Sequence, residues 1–283
     1  METKKLCVIG DPVEHSLSPV IHNAILRETG LPYVYGRVRV RGGETAGFLR
    51  RAAAEGYAGF NATMPHKTDL VDLVDELDAD AQLYQAVNTV VLRDGKMRGC
   101  NTDGRGFLQM LLEAGISPED KTVTVLGAGG GARAVVLKLA QAGARRIFVC
   151  NRTHSKAEAL AKEFPMQIAP CGFEEQTLQD CALFSDFLVN TTPMGMSGVM
   201  ARFERLNFLE ALPKGAAVCD IIYSPPETML LARARALGHP TLNGLGMLIY
   251  QAIFALEEFT DSKIDAQKVL PAVKTALDEA MKA

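Results

Sequence analysis

Residues 122–134 read Thr-Val-Thr-Val-Leu-Gly-Ala-Gly-Gly-Gly-Ala-Arg-Ala, a β-branched run that ends in a glycine turn and opens into a helical pattern. Few segments constrain a fold more, because strand, glycine turn and helix in this order start a parallel sheet that holds a dinucleotide. Gly127 permits the tight turn and Gly129 lets a pyrophosphate approach the backbone. Ala132 takes the third small position, where helix and strand pack closely. The free N–H groups of the helix start suit phosphate. Tight strand-to-helix turns need glycine for steric reasons as well, so the motif gains its weight from the strand and helix that flank it.

The next strand, Arg146–Cys150, ends about twenty residues beyond the turn, where an NAD site places a carboxylate on the ribose 2′-hydroxyl. Asn151 and Arg152 stand there instead, with Lys156 one turn into the following helix. A planar guanidinium suits a 2′-phosphate that a carboxylate would repel, which favours NADP over NAD. Taken by itself, Arg152 is equally a solvated cation at a helix start.

From the glycine turn onward helices and short apolar strands alternate: helix 130–143, strand 146–150, helix 154–164, strand 186–190, strand 216–220 and helix 226–237. Such alternation predicts parallel strands with crossover helices, a Rossmann-type domain over 104–244. The first hundred residues also alternate, with strands at 6–10, 34–40 and 58–62, a helix capped by Ser18 with Pro19 in its first turn, a helix ending near Gly56, and a helical stretch over 66–83. Val90–Cys100 reads as a hairpin turning at Asp94-Gly95. Two amphipathic segments, 245–260 and 264–281, close the chain. They are expected to return to a mainly parallel amino-terminal α/β substrate domain, making it discontinuous (1–103 plus 245–283), with the ligand between the two domains.

Composition narrows the partners. A net charge of −3 gives no basic field for nucleic acid or an anionic membrane. The amino terminus has too short an apolar run for a signal peptide and no segment approaches a membrane span, so a cytoplasmic protein is expected, monomeric or homodimeric. The six cysteines form no Cys-x-x-Cys and read as reduced, mostly buried thiols, while the five histidines show no ligand spacing; no metal site is expected.

Three polar clusters stand at predicted strand ends, where ligands of α/β folds bind. Ser16 and Ser18 are two hydroxyls at alternating positions, able to hold a polyol or carboxylate, although a helix cap accounts for Ser18 as well. Asn61, Thr63 and Lys67 offer an amide, a hydroxyl and an ammonium within seven residues. Asn88 and Asp103 flank the hairpin, so its closure brings them together. If they face Lys67, a Lys/Asp pair results that can handle the proton of a carbonyl reduction while a nicotinamide handles the hydride.

His-Ser-x-Ser-Pro, Asn-x-Thr-x-Pro-x-Lys, Val-Asn-Thr, Asn-Thr-Asp-Gly, Gly-Ala-Gly-Gly-x-x-Arg-Ala, Asn-Arg-Thr and Asn-Thr-Thr-Pro-Met-Gly-Met follow one another in this chain. Asp220–Tyr223 and Gly244–Gln251 complete the series. With these motifs the chain resembles the shikimate dehydrogenase family over nearly its whole length. The resemblance implies NADP-dependent interconversion of 3-dehydroshikimate and shikimate, in aromatic amino-acid biosynthesis. It implies Lys67 and Asp103 as the catalytic dyad, and Ser16, Ser18, Thr63, Asn88 and Gln251 on the substrate's carboxylate and hydroxyls, with Tyr223 nearby. It implies that Gly127, Gly129, Gly130, Gly131, Ala132 and Arg133, with Asn151, Arg152 and Thr153, hold the cofactor, and that Met194 and Gly246 line its nicotinamide end. One departure is Gln85, standing where many relatives have a glycine before Ala-Val-Asn-Thr; Ala62 and Met64 also replace the usual β-branched neighbours of Thr63. Relatives acting on quinate or an amino-substituted shikimate share the dyad. A non-catalytic NADP sensor would have no use for a proton-transfer pair, and a glutamyl-tRNA reductase would need an activated cysteine and a basic face.

Overall fold

The computed structural model describes residues 3–282 and has an α/β fold. The chain divides into two compact units, Met1–Gly106 with Leu248–Ala283, and Phe107–Met247. Among the described residues no helix is long and apolar enough to cross a membrane.

The first unit opens with β1 (Lys4–Gly10), α1 (Ser18–Thr29), β2 (Tyr33–Arg39), α2 (Thr45–Ala54) and β3 (Tyr57–Ala62). Then come β4 (Glu76–Leu77), α3 (Ala79–Tyr84), β5 (Thr89–Arg93), β6 (Lys96–Cys100) and α4 (Asp103–Glu113), within which the unit boundary falls. Its sheet has the order β2-β1-β3-β5-β6-β4. β1 pairs in parallel with β2 and β3, whereas β5 runs antiparallel to both β3 and β6. The hairpin turn has positive φ at both centres, Asp94 (52°) and Gly95 (75°), the conformation that this residue pair favours.

The second unit begins with β7 (Thr122–Leu126), α5 (Gly130–Gln141), β8 (Arg146–Cys150), α6 (His154–Ala161), β9 (Ile168–Cys171) and α7 (Glu175–Leu183). β10 (Phe187–Asn190), β11 (Ala217–Asp220), α8 (Met229–Ala236) and β12 (Thr241–Leu242) follow. Its strands lie in the order β12-β11-β10-β7-β8-β9 and every pairing is parallel. Renumbered from β7 this is the 3-2-1-4-5-6 order of a Rossmann sheet, with the reversal between β7 and β10. β7 is buried along its length, as a strand covered on both faces must be.

Two helices finish the chain, α9 (Leu245–Thr260) and α10 (Ala266–Lys282). A Cβ at Gly59 would lie 2.5 Å from the Phe259 ring, so α9 rests directly on β3. α10 packs along α1, its start capped by Asp265 Oδ1, which accepts from the Gln267 amide at 3.0 Å.

Two local expectations fail. The stretch 66–83 is not one helix. It breaks into a 3₁₀ turn at Asp69–Asp72, β4 and α3. Asp75 exchanges backbone and side-chain bonds with Met97 (2.9 and 2.7 Å), Asp78 donates its amide to Gly99 O, and the Asp78 side chain caps α3 through Ala81 N at 2.6 Å. Backbone pairing with β6 thus outweighs the local helical pattern. Ser18 is not a cap either: it is the first residue of α1, and its amide donates to Ser16 Oγ at 3.3 Å. Gln85 ends α3 in the left-handed region (φ 52°), a conformation glycine adopts at no steric cost.

Candidate active site

Pairing register decides what meets at the edge of the first sheet. β1 and β3 end side by side at Gly10 and Ala62, and antiparallel β5 starts there, with Asn61 opposite Thr89. Thr89 is in turn opposite Cys100, so the chain leaving β6 arrives at the same edge and enters α4 at Asp103. Lys67 follows β3 by five residues, its carbonyl held by the Val87 amide at 2.8 Å. Three segments far apart in sequence therefore deliver Lys67, Asn88 and Asp103 to one place.

Lys67 Nζ donates to Asp103 Oδ2 at 2.6 Å, the side chains being 30% and 15% exposed. Asn88 Nδ2 donates to the other carboxylate oxygen at 2.8 Å. The Asn88 carbonyl oxygen accepts from Thr89 Oγ1 at 2.8 Å, which accepts from Asn61 Nδ2 at 2.9 Å; Asn61 Oδ1 accepts from the Tyr35 hydroxyl at 2.6 Å. Every donor in this chain points toward Asp103, so each bond polarises the next in the same sense. Burial pushes the Tyr35 phenol far up, which keeps it a donor. Its ring stacks on His22 at 3.9 Å between centroids, and burial drives that imidazole down to about 3, so the platform is neutral. Thr89 closes the Val-Asn-Thr motif, whereas Tyr35 lies in a strand with no motif to mark it; alternation within β2 is its only trace in the sequence.

Thr63 follows β3 and is packed against Gly10, where a Cβ would meet its methyl at 2.5 Å. Gln251 sits on α9 with Nε2 turned back to Leu248 O at 2.9 Å. Among the described residues no side-chain hydrogen bond joins Ser16, Ser18, Thr63 or Gln251 to the Lys67 cluster.

In the second unit Gly127 has φ 106° and donates its amide to Cys150 O at 2.8 Å; a Cβ there would lie 2.7 Å from Thr191 Oγ1. No other residue fits this turn without strain. Gly129 is the residue before α5, and Gly130 and Gly131 are its first two. A Cβ on Gly129 or Gly130 would meet nothing within 4 Å, so there is open space beside the helix start, whose first N–H groups have no partner within the helix. Ala132 is fully buried beneath them. Arg133 is turned away to Glu163 at 2.7 Å. Asn151 donates to Thr153 O at 2.8 Å, while Arg152 is exposed and bonds to no described residue. Arg152 and Met194 line one cavity of about 580 Å³ with Phe173, Arg202 and Phe203, three residues that no sequence motif signals. Gly246 packs against Met110, where a Cβ would come within 2.7 Å, and Tyr223 is half-buried, its phenol raised by desolvation.

A Rossmann-type sheet, joined in one chain to a second α/β unit that carries a braced lysine–carboxylate pair, defines a class of two-unit α/β proteins. Three family profiles fall on the chain in order. They are a shikimate dehydrogenase substrate binding domain over residues 8–90, shikimate / quinate 5-dehydrogenase over 111–194, and a shikimate 5′-dehydrogenase C-terminal domain over 244–274. A shikimate dehydrogenase (NADP(+)) of Methanopyrus kandleri is 40% identical over 277 residues, covering 96% of this chain and 95% of its own. The crystal structure of shikimate 5-dehydrogenase from Thermus thermophilus with NADP(H) and shikimate matches with a TM-score of 0.83 at 33% identity, covering 97% and 100%. The ligand-free 5-ketofructose reductase of a Gluconobacter species has the same TM-score at 32% identity, covering 97% and 99%. The chain belongs to the shikimate dehydrogenase family.

Proposed function

We propose that this protein is an NADP-dependent oxidoreductase that interconverts 3-dehydroshikimate and shikimate, with Lys67 and Asp103 as its proton-handling pair. The observation that carries the reading is the 2.6 Å Lys67–Asp103 contact braced by Asn88. NADP fits the second unit: the helix start at Gly129 and Gly130 is open for a pyrophosphate, and Arg152 is an unengaged guanidinium where a 2′-phosphate needs one. NADPH, when bound, supplies the hydride that reduces the carbonyl.

Lys67, as an ammonium, delivers its proton to the alkoxide that develops on the substrate. Asp103 holds Nζ in place and offsets its charge, and Asn88 fixes the carboxylate by occupying its second oxygen. In the oxidative direction Lys67 takes the proton back. Ser16, Ser18, Thr63, Asn88 and Gln251 bind the carboxylate and hydroxyls, with Tyr223 as a further substrate contact. Gly127 and Gly129–Arg133, with Asn151, Arg152 and Thr153, hold the cofactor. Met194 and Gly246 line its reactive end. In this reading the discontinuous first unit is the substrate domain, and the protein is a cytoplasmic monomer or homodimer. Its partner is a small molecule, not nucleic acid.

A substrate panel tests this. Purified protein is mixed with shikimate, quinate or 5-ketofructose and NADP(H) or NAD(H), and nicotinamide absorbance is followed. Shikimate turnover faster with NADP than with NAD is expected; no shikimate turnover with either cofactor overturns the proposal. Quinate turnover alone would move the assignment to the quinate branch of the family, and ketofructose reduction alone to a keto-sugar reductase.

A further inference from the structure

Three of the six cysteines converge in the second unit. Cys150 ends β8 and Cys171 ends β9, the two being register partners across a parallel pair, and Cys181 comes down onto them from α7. The three Sγ atoms all lie within 4.8 Å of one another. Cys7, Cys100 and Cys219 join no such group among the described residues.

We propose that Cys150, Cys171 and Cys181 form a binding site for a soft closed-shell cation, Zn²⁺ or Cu⁺, with three thiolate ligands and one coordination position left open. Metal–sulfur bonds of about 2.3 Å place the sulfurs of such a site about 3.8–4.0 Å apart, so the ligands need to close by at most about an ångström. Thiolate donors without oxygen ligands select for these ions over Mg²⁺ or Ca²⁺. Cys150 and Cys181 are buried within the apolar core of the unit, which orients them, and Cys171 is half-buried, which gives an ion its way in. Binding exchanges protons for metal and moves no electrons: Zn²⁺ displaces three thiol protons and leaves a net charge of −1 in the site.

Buried thiols also cluster as ordinary small hydrophobes. The two explanations separate in a competition experiment on the full chain, reduced and stripped of metal under anaerobic conditions. Zn²⁺ is titrated against a chromophoric chelator, and Cu⁺ separately against a copper(I) chelator. One equivalent of at least one ion is expected to stay on the protein, with a new ultraviolet thiolate-to-metal band. Cys171→Ser and Cys181→Ser should each weaken retention by at least about tenfold, whereas Cys219→Ser, a buried thiol outside the trio, should leave it unchanged. Thermal melting checks that each variant folds, with Cys181→Ala replacing the serine variant if that one does not. Retention of neither ion, or equal retention by Cys171→Ser, overturns the proposal.

Discussion

The two sheet edges that carry this protein's polar residues are built on opposite plans. At the edge of the first sheet every polar group is spoken for: Lys67, Asp103, Asn88, Thr89, Asn61 and Tyr35 form one connected chain, mostly out of water. At the reversal of the second sheet the key groups are unengaged, with bare amides over Gly129 and Gly130 and a solvated Arg152. The difference follows from what each region must do. Proton transfer needs a fixed geometry before the substrate arrives, whereas a large anion needs vacant donors and room. One edge is therefore preorganised, and the other is reserved.

Lys67→Ala strikes the preorganised edge and should have the largest effect. Turnover should fall about a thousandfold, about 4 kcal/mol in the barrier, with NADP affinity nearly unchanged. Steady-state kinetics combined with a cofactor titration reads both; a large loss of cofactor binding would mean that the two edges are not separate in function.

The second sheet has one closed cluster of its own, and it sharpens the contrast. Asp220 is fully buried and accepts from Asn190 Nδ2, the Ile222 amide and Thr228 Oγ1 at 2.8–3.0 Å. Desolvation nevertheless raises its carboxyl from 3.8 to about 6. Between those values the folded protein binds more protons than the unfolded chain, so this group's stabilising contribution is complete below about pH 4 and is lost as pH rises through 6. The loss amounts to about 3 kcal/mol at most. Denaturant unfolding of Asp220→Asn against the parent should show the variant gaining relative stability from about pH 4 to 7; a pH-independent difference would refute the assignment.

Arg152→Ala should raise KM for NADP by about tenfold to a hundredfold, the worth of a charge-assisted bond of about 1.5–3 kcal/mol, while KM for NAD and kcat stay put. Tyr35→Phe should be the mildest. It leaves Asn61 Oδ1 without its donor, costs about 1 kcal/mol of stability, and lowers kcat a few-fold with KM for shikimate unchanged. If kcat does not move at all, the outer links of the donor chain are structural only.

Residues whose role is local are legible in the sequence. Gly127 and the Asp94-Gly95 turn follow from backbone conformation, and the family can be recognised because its motifs sit in such turns and strand ends. What stays hidden depends on partners distant in the chain. The 66–83 stretch carries helical spacing, yet Asp75 and Asp78 spend their bonds on β6, a partner that spacing within the stretch cannot reveal. β9 escapes a reading by pattern because Pro170 interrupts it; proline is tolerated there since β9 is an edge strand. Tyr35 looks like an ordinary strand residue until the sheet brings its hydroxyl to Asn61 across β1, and three cysteines at 150, 171 and 181 show no ligand spacing until β9 and α7 fold over β8.

The uniform direction of the donor chain has one more consequence. Two of its links are carboxamides, and an amide N–H is far too weak an acid to pass a proton along. The path from Tyr35 to Asp103 can thus carry polarisation but no charge: it is an insulator behind the dyad. Whatever proton leaves the Lys67–Asp103 pair must go forward, to the substrate or to water at its exposed face, and the donor chain behind it can neither drain the pair nor reload it.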